Sequence, residues 1–76
     1  METMMAHFND AEARDKAVAA AQKQGVQVTW VGDISPAPDR DGNPSGVAPR
    51  PFVLFRGSML DGLVFMQHGA GSCGAA

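Results

Sequence analysis

The sequence predicts an α+β domain in which one N-terminal helix packs on a small, mostly antiparallel three-stranded sheet. The expected order is helix, strand, strand, strand, with helix, strand, strand, helix as the runner-up. Three observations lead there. A capped, alanine-faced helix pattern runs from Asp10 to Gln24. After Gly25 the apolar period switches from helical spacing to two. Beyond a proline-rich interval, the run Phe52-Val-Leu-Phe55 is apolar on both faces and rich in strand formers.

The helix has clear end signals. Asn9 is the expected N-cap, with Glu12 three residues on in a capping-box pattern. Asp10 and Glu12 place negative charge in the first turn, where the helix dipole favours it. Glu12 and Lys16 are spaced to pair along the exposed side. Lys23 falls in the last turn, and Gly25 is the expected stop. On the inner side Ala13, Ala17, Ala20 and Ala21 form a stripe flanked by Val18 and Ala11. Alanine permits close approach but buries little area, so this helix cannot hold a core unaided. Arg14 should lay its stem beside the stripe.

Val26, Val28 and Trp30 should point one way and Gln27 and Thr29 the other, a half-buried strand ended by Gly32 and Asp33. Trp30 is expected in or beside the core. All five prolines lie between Ile34 and Pro51, so residues 33–51 read as a long Pro/Gly loop without regular structure. Two readings compete for Ser58 to His68. Asp61-Gly62 suits a tight hairpin turn, whereas Ser58 with Asp61 three residues later suits a helix cap. The hairpin is preferred, because Gly62 inside a helix costs about 1 kcal/mol relative to alanine. Residues 1–8 read as a flexible leader and residues 69–76, GAGSCGAA, as a flexible tail. The 76 residues thus make a single small domain.

Size and charge exclude several functions. A chain this short buries only about 60% of its unfolded surface, and its stability is expected to be marginal. With one cysteine no intrachain disulfide is available, and a lone thiol near a terminus suggests a reducing compartment. The net charge of −2 includes no basic cluster, so no nucleic-acid partner is expected. No apolar run is long enough to span a bilayer, and METMMAHFND lacks the features of a signal peptide. The expectation is a soluble, cytoplasmic protein without membrane contact.

The stretch DRDGNPSG, residues 39–46, carries oxygen ligands at alternate positions, Asp39, Asp41 and Asn43, with Ser45 next. An EF-hand loop also needs glycine at its sixth place and glutamate at its twelfth. Counted from Asp39 those places hold Pro44 and Arg50, so the EF-hand reading fails. A looser metal- or ligand-binding loop over residues 33–45, using Asp33, Asp39 and Asp41, stays as an alternative function. Turn chemistry explains the same residues more simply. A second alternative is a thiol-dependent enzyme with Cys73 as nucleophile and His68 as base, although no third residue orients that histidine. His7, His68 and Cys73 match no metal spacing. No cofactor is expected, and no metal or catalytic residue is assigned.

The strongest functional signal is the apolar crowding between Phe52 and Met66. One alanine-faced helix covers only one side of the sheet these residues would build. The uncovered side needs the loop with Ile34 and Val47, a second copy, or another protein. The expected function is therefore a small non-catalytic protein-interaction module, an inhibitor, adaptor or assembly factor. It should act through an apolar sheet face and self-associate as a homodimer. The expected partner-binding residues are Phe52, Leu54, Phe55, Leu63, Phe65 and Met66.

Overall fold

A computed structural model of the chain describes residues 2–35, 37–43, 46 and 49–76. Its elements are β1 (Glu2–His7), α1 (Ala11–Lys23), β2 (Gln27–Ile34), β3 (Arg50–Gly57), α2 (Met59–Gln67) and β4 (Ser72–Ala75). The strands form one sheet in the order β2-β3-β1-β4, with every neighbouring pair antiparallel. Each helix links two strands that are separated by a strand of the other unit, the split β-α-β connectivity. The fold is α+β as expected, but the sheet has four strands rather than three.

The extra strands come from the two ends. Residues 2–7, expected as part of a flexible leader, form β1 in the middle of the sheet, paired with β3 on one side and β4 on the other. Residues 72–75, expected in a flexible tail, form β4. Neither segment is rich in strand-forming residues, and both owe their conformation to pairing. Along β1 the alternation is nonetheless present: Met4, Ala6 and Phe8 are buried, whereas Thr3, Met5 and His7 project to the other side.

α1 runs close to its expected limits. Its N-cap is Asp10 rather than Asn9: Asp10 is extended and its Oδ1 accepts from Ala13 N at 2.7 Å. Lys16 and Glu12 pair at 3.4 Å. Gly25 adopts φ +86°, the left-handed geometry that ends the helix. Ala17 and Ala21 are fully buried, with Ala13, Ala20 and Val18 packed at the margin of the core. Arg14, only 12% exposed, reaches from α1 to β2, donating to Gly32 O and Asp33 Oδ1 at 3.0 Å each.

Residues 59–67 are helical, which corrects the hairpin expectation. Ser58 caps α2: its Oγ accepts from Leu60 N at 3.2 Å, and Asp61 Oδ2 accepts from Ser58 N at 2.8 Å. The dipeptide Asp61-Gly62 therefore belongs to a capping box and a tight packing point, not to a turn. α1 and α2 lie side by side on one face of the sheet. Between them and the sheet sit Met4, Phe8, Val53, Phe55, Val64 and Phe65. Phe65 is central, with ring centroids 4.6 Å from Phe55 and 6.3 Å from Phe8.

β2 differs from its expected pattern in one decisive way. A bulge at Thr29 separates the pairs Val28–Phe55 and Trp30–Leu54. One extra residue reverses the facing of everything beyond it. Val28 is half-buried toward the helices, whereas Trp30 lies on the opposite face and is 60% exposed. Trp30 is thus outside the core. β2 also runs past Gly32 and Asp33 to Ile34, and β3 begins at Arg50, which trims the expected 33–51 loop at both ends.

Candidate interaction surface

Directly paired residues of an antiparallel sheet project to the same side. The face turned away from the helices can therefore be read across the strands. One row is Trp30, Leu54, Met5 and Gly74, and the next is Gly32, Phe52, His7 and Ser72. Arg56, between Gln27 and Thr3, closes one end, and Arg50, beside Ile34, closes the other. No described residue of the chain covers this face with a helix.

The relief across the face is uneven. β2 and β3 contribute large side chains, whereas β4 contributes only Ser72 and Gly74. Trp30 and Phe52 make a ridge, and the β1–β4 side holds an open groove of about 250 Å³ lined by Met5, His7, Ser72, Cys73, Gly74 and Ala75. Gly32 shapes the ridge: a Cβ there would lie 2.9 Å from Trp30 Nε1 and 3.3 Å from the Phe52 ring. The absence of a side chain lets the indole lie across the strand. Every strand position on this face is neutral or cationic. Asp33 lies on the helix side, bonded to Arg14.

The six residues expected to bind a partner fall in three places. Phe52 and Leu54 are half-buried on the open sheet face. Phe55 and Phe65 are fully buried in the core, where neither can touch a partner. Leu63 and Met66 are exposed on the outer side of α2, with Met59 and Leu60. The sequence reading missed Trp30, Met5 and His7. Two-residue alternation in Met4 to Phe8 is the available signal for the latter pair, in a segment otherwise poor in strand-forming residues. Of the residues expected to close the uncovered face, Ile34 is 40% exposed. Val47 lies outside the described residues, as do Pro44 and Ser45 of the Asp-rich stretch.

Asp39 organises its own loop. Its Oδ1 accepts from Asp41 N and Asn43 N at 2.9 Å each, and Asn43 Nδ2 donates to Oδ2 at 3.4 Å. These bonds, that from Asn43 N foremost, hold the Asp39 carboxyl below its ordinary pKa of 3.8. Asp39 Oδ1 is thus committed to two backbone donors of its own turn. Asp33 is held by Arg14, and among the described residues no three carboxylates, histidines or cysteines converge.

Cys73 faces the helices, paired with Ala6 and packed against Gly62. Desolvation pushes its thiol pKa above the ordinary 9.0, opposite to the shift that activates a nucleophile. Iodoacetamide at pH 8 is accordingly expected to alkylate Cys73 in the folded protein more slowly than free N-acetylcysteine. Urea should abolish the difference. Equal or faster labelling of the folded chain would contradict the packing described.

No protein-family model matches the chain, and neither a curated protein nor a solved structure matches it.

Proposed function

We propose that the protein is a small non-catalytic interaction module that works through the open face of its sheet, in the manner of an inhibitor, adaptor or assembly factor. One observation supports this reading above the others. Trp30, Phe52, Leu54, Met5 and Ile34 form a connected apolar face that, among the described residues, no helix covers. Apolar area left in water forgoes about 25 cal/mol per Å², and patches of this kind mark binding sites. The described residues present no convergent set of titratable groups that would favour catalysis.

The outer side of α2 is a second apolar strip, with Leu60 at 77% exposure. The sheet face is preferred for two reasons. It spans several strands as a broad surface, and it carries the exposed Trp30 with Phe52, whereas the α2 strip has only Leu and Met. Aromatic anchors dominate binding energy at protein interfaces.

The reading is tested by placing the photo-crosslinker p-benzoylphenylalanine at Ile34, at Leu60, or at Gln22 on the exposed side of α1, in cells expressing the chain. A discrete adduct is expected from position 34 and none from 22. Adducts from 60 alone would transfer the function to α2. No adduct from 34 would end the proposal.

A further inference from the structure

We infer that the occupant of the open face is a second copy of this chain, related by a two-fold axis that runs parallel to the strands. The inference rests on the reading of this face as a binding surface and adds what binds and how.

Two copies of one face can be brought together with two-fold symmetry about an in-plane axis in two limiting ways. An axis across the strands lays β3 on the partner's β3 with reversed direction. The Arg50 end then faces the partner's Arg56 end, and the face has no acid to neutralise them. The β4 groove would face another groove, leaving a void whose lining loses its contacts outright. On β2, Trp30 would oppose the partner's Gly32, over which that copy's own indole already lies. This arrangement opposes like charges and matches shapes badly.

An axis along the strands reverses the strand order instead. β2 then lies on the partner's β4, and β3 on its β1. Row by row, Trp30 meets the partner's Gly74, Leu54 meets the partner's Met5, Phe52 meets the partner's His7, and Gly32 meets the partner's Ser72. The largest side chain of the face, Trp30, opposes its smallest residue, Gly74, and symmetry makes that match twice. The indole of each copy fills the groove of about 250 Å³ beside Gly74 of the other. Arg56 faces the partner's Thr3, and Arg50 sits at the rim beyond the end of β1, so no guanidinium faces another. Aligned sheets pack about 30° apart and ~10 Å face to face, which preserves these rows near the centre.

The groove provides a clean test. A Cβ built at Gly74 meets nothing within 4 Å, so the monomer tolerates a side chain there. Trp30 is the sole tryptophan, so its emission reports directly on the face. The wild-type chain is expected to sediment as a dimer, with Trp30 emission that shifts to the red on dilution. Gly74→Leu should be monomeric with red-shifted emission, while its circular dichroism and urea midpoint, compared with wild type at a dilution where both are monomeric, are unchanged. Leu60→Lys, on the outer side of α2, should remain dimeric. A wild-type chain that stays monomeric up to about 1 mM, where association is worth roughly 4 kcal/mol, overturns the inference. So does a Gly74→Leu variant that dimerises with wild-type emission, or a Leu60→Lys variant that dissociates. If the chain is monomeric yet position 34 crosslinks to another protein, self-pairing fails and the interaction reading of the face stands.

Discussion

Phe65→Ala is expected to lower the stability of the protein by about 3–5 kcal/mol, the usual cost of deleting a buried aromatic ring. At roughly 0.05–0.15 kcal/mol per residue, the 76-residue chain holds about 4–11 kcal/mol in all. The substitution thus removes about a quarter or more of the total, and the unfolding temperature should fall by at least about 12 °C. The structural reason is the position of the ring. It is fully buried, stands 4.6 Å from Phe55 and meets Phe8 edge-on, so it joins α2 to both central strands. Leu60→Ala, one turn earlier and 77% exposed, should change stability by no more than about 0.5 kcal/mol. Urea unfolding followed by circular dichroism at low protein concentration measures both. A loss below about 1 kcal/mol at Phe65 would mean that α2 does not dock as described.

The contrast between these two neighbours shows what the sequence could carry. The apolar crowding between Phe52 and Met66 was legible, and so was the limit that helix cover reaches one side of the sheet only. What could not be read was the partition of that crowd. Whether Phe65 faces core or solvent depends on choosing a helix over a hairpin for residues 58–68. Ser58 and Asp61 supplied the correct cap signal, and Gly62 argued against it on propensity alone. α1 was legible because its determinants are local: a cap, an alanine stripe and a terminal glycine lie within the same short segment.

β1 and β4 were not legible because theirs are not local. METMMAH and GSCGAA become strands only when each finds the other and β3. The Thr29 bulge is a third case. Val26, Val28 and Trp30 alternate perfectly in sequence, yet the register slip sends Trp30 to the other face and makes a supposed core residue part of the candidate surface. Four of the six expected partner-binding residues, Phe55, Leu63, Phe65 and Met66, lie off the open face. Among the described residues, both helices lie on one side of the sheet and none on the other.

Gly62 offers the sharpest check on how α2 meets β4. In an exposed helix interior, alanine is better than glycine by about 1 kcal/mol, so Gly62→Ala should stabilise if nothing opposes it. Something does. A Cβ at position 62 would lie 2.6 Å from Cys73 Sγ and 3.4 Å from the Phe55 ring. The sulfur contact is far inside van der Waals range, and overpacking of this kind costs about 1–3 kcal/mol. Gly62→Ala alone is therefore expected to be neutral to destabilising, by up to about 2 kcal/mol. In a Cys73→Ala background the sulfur is gone, and the nearest remaining atom of residue 73 would be its Cβ at 4.0 Å, an ordinary contact. There the same Gly62→Ala change should become stabilising by up to about 1 kcal/mol. The coupling between the two sites, read from a double-mutant cycle in urea, should therefore be at least about 1 kcal/mol in favour of the double variant. Additive effects would mean that Cys73 does not point at α2. The tail would then not be held as β4, and Ser72 and Gly74, which follow from that pairing, would no longer form the groove in which Trp30 of a second copy is placed.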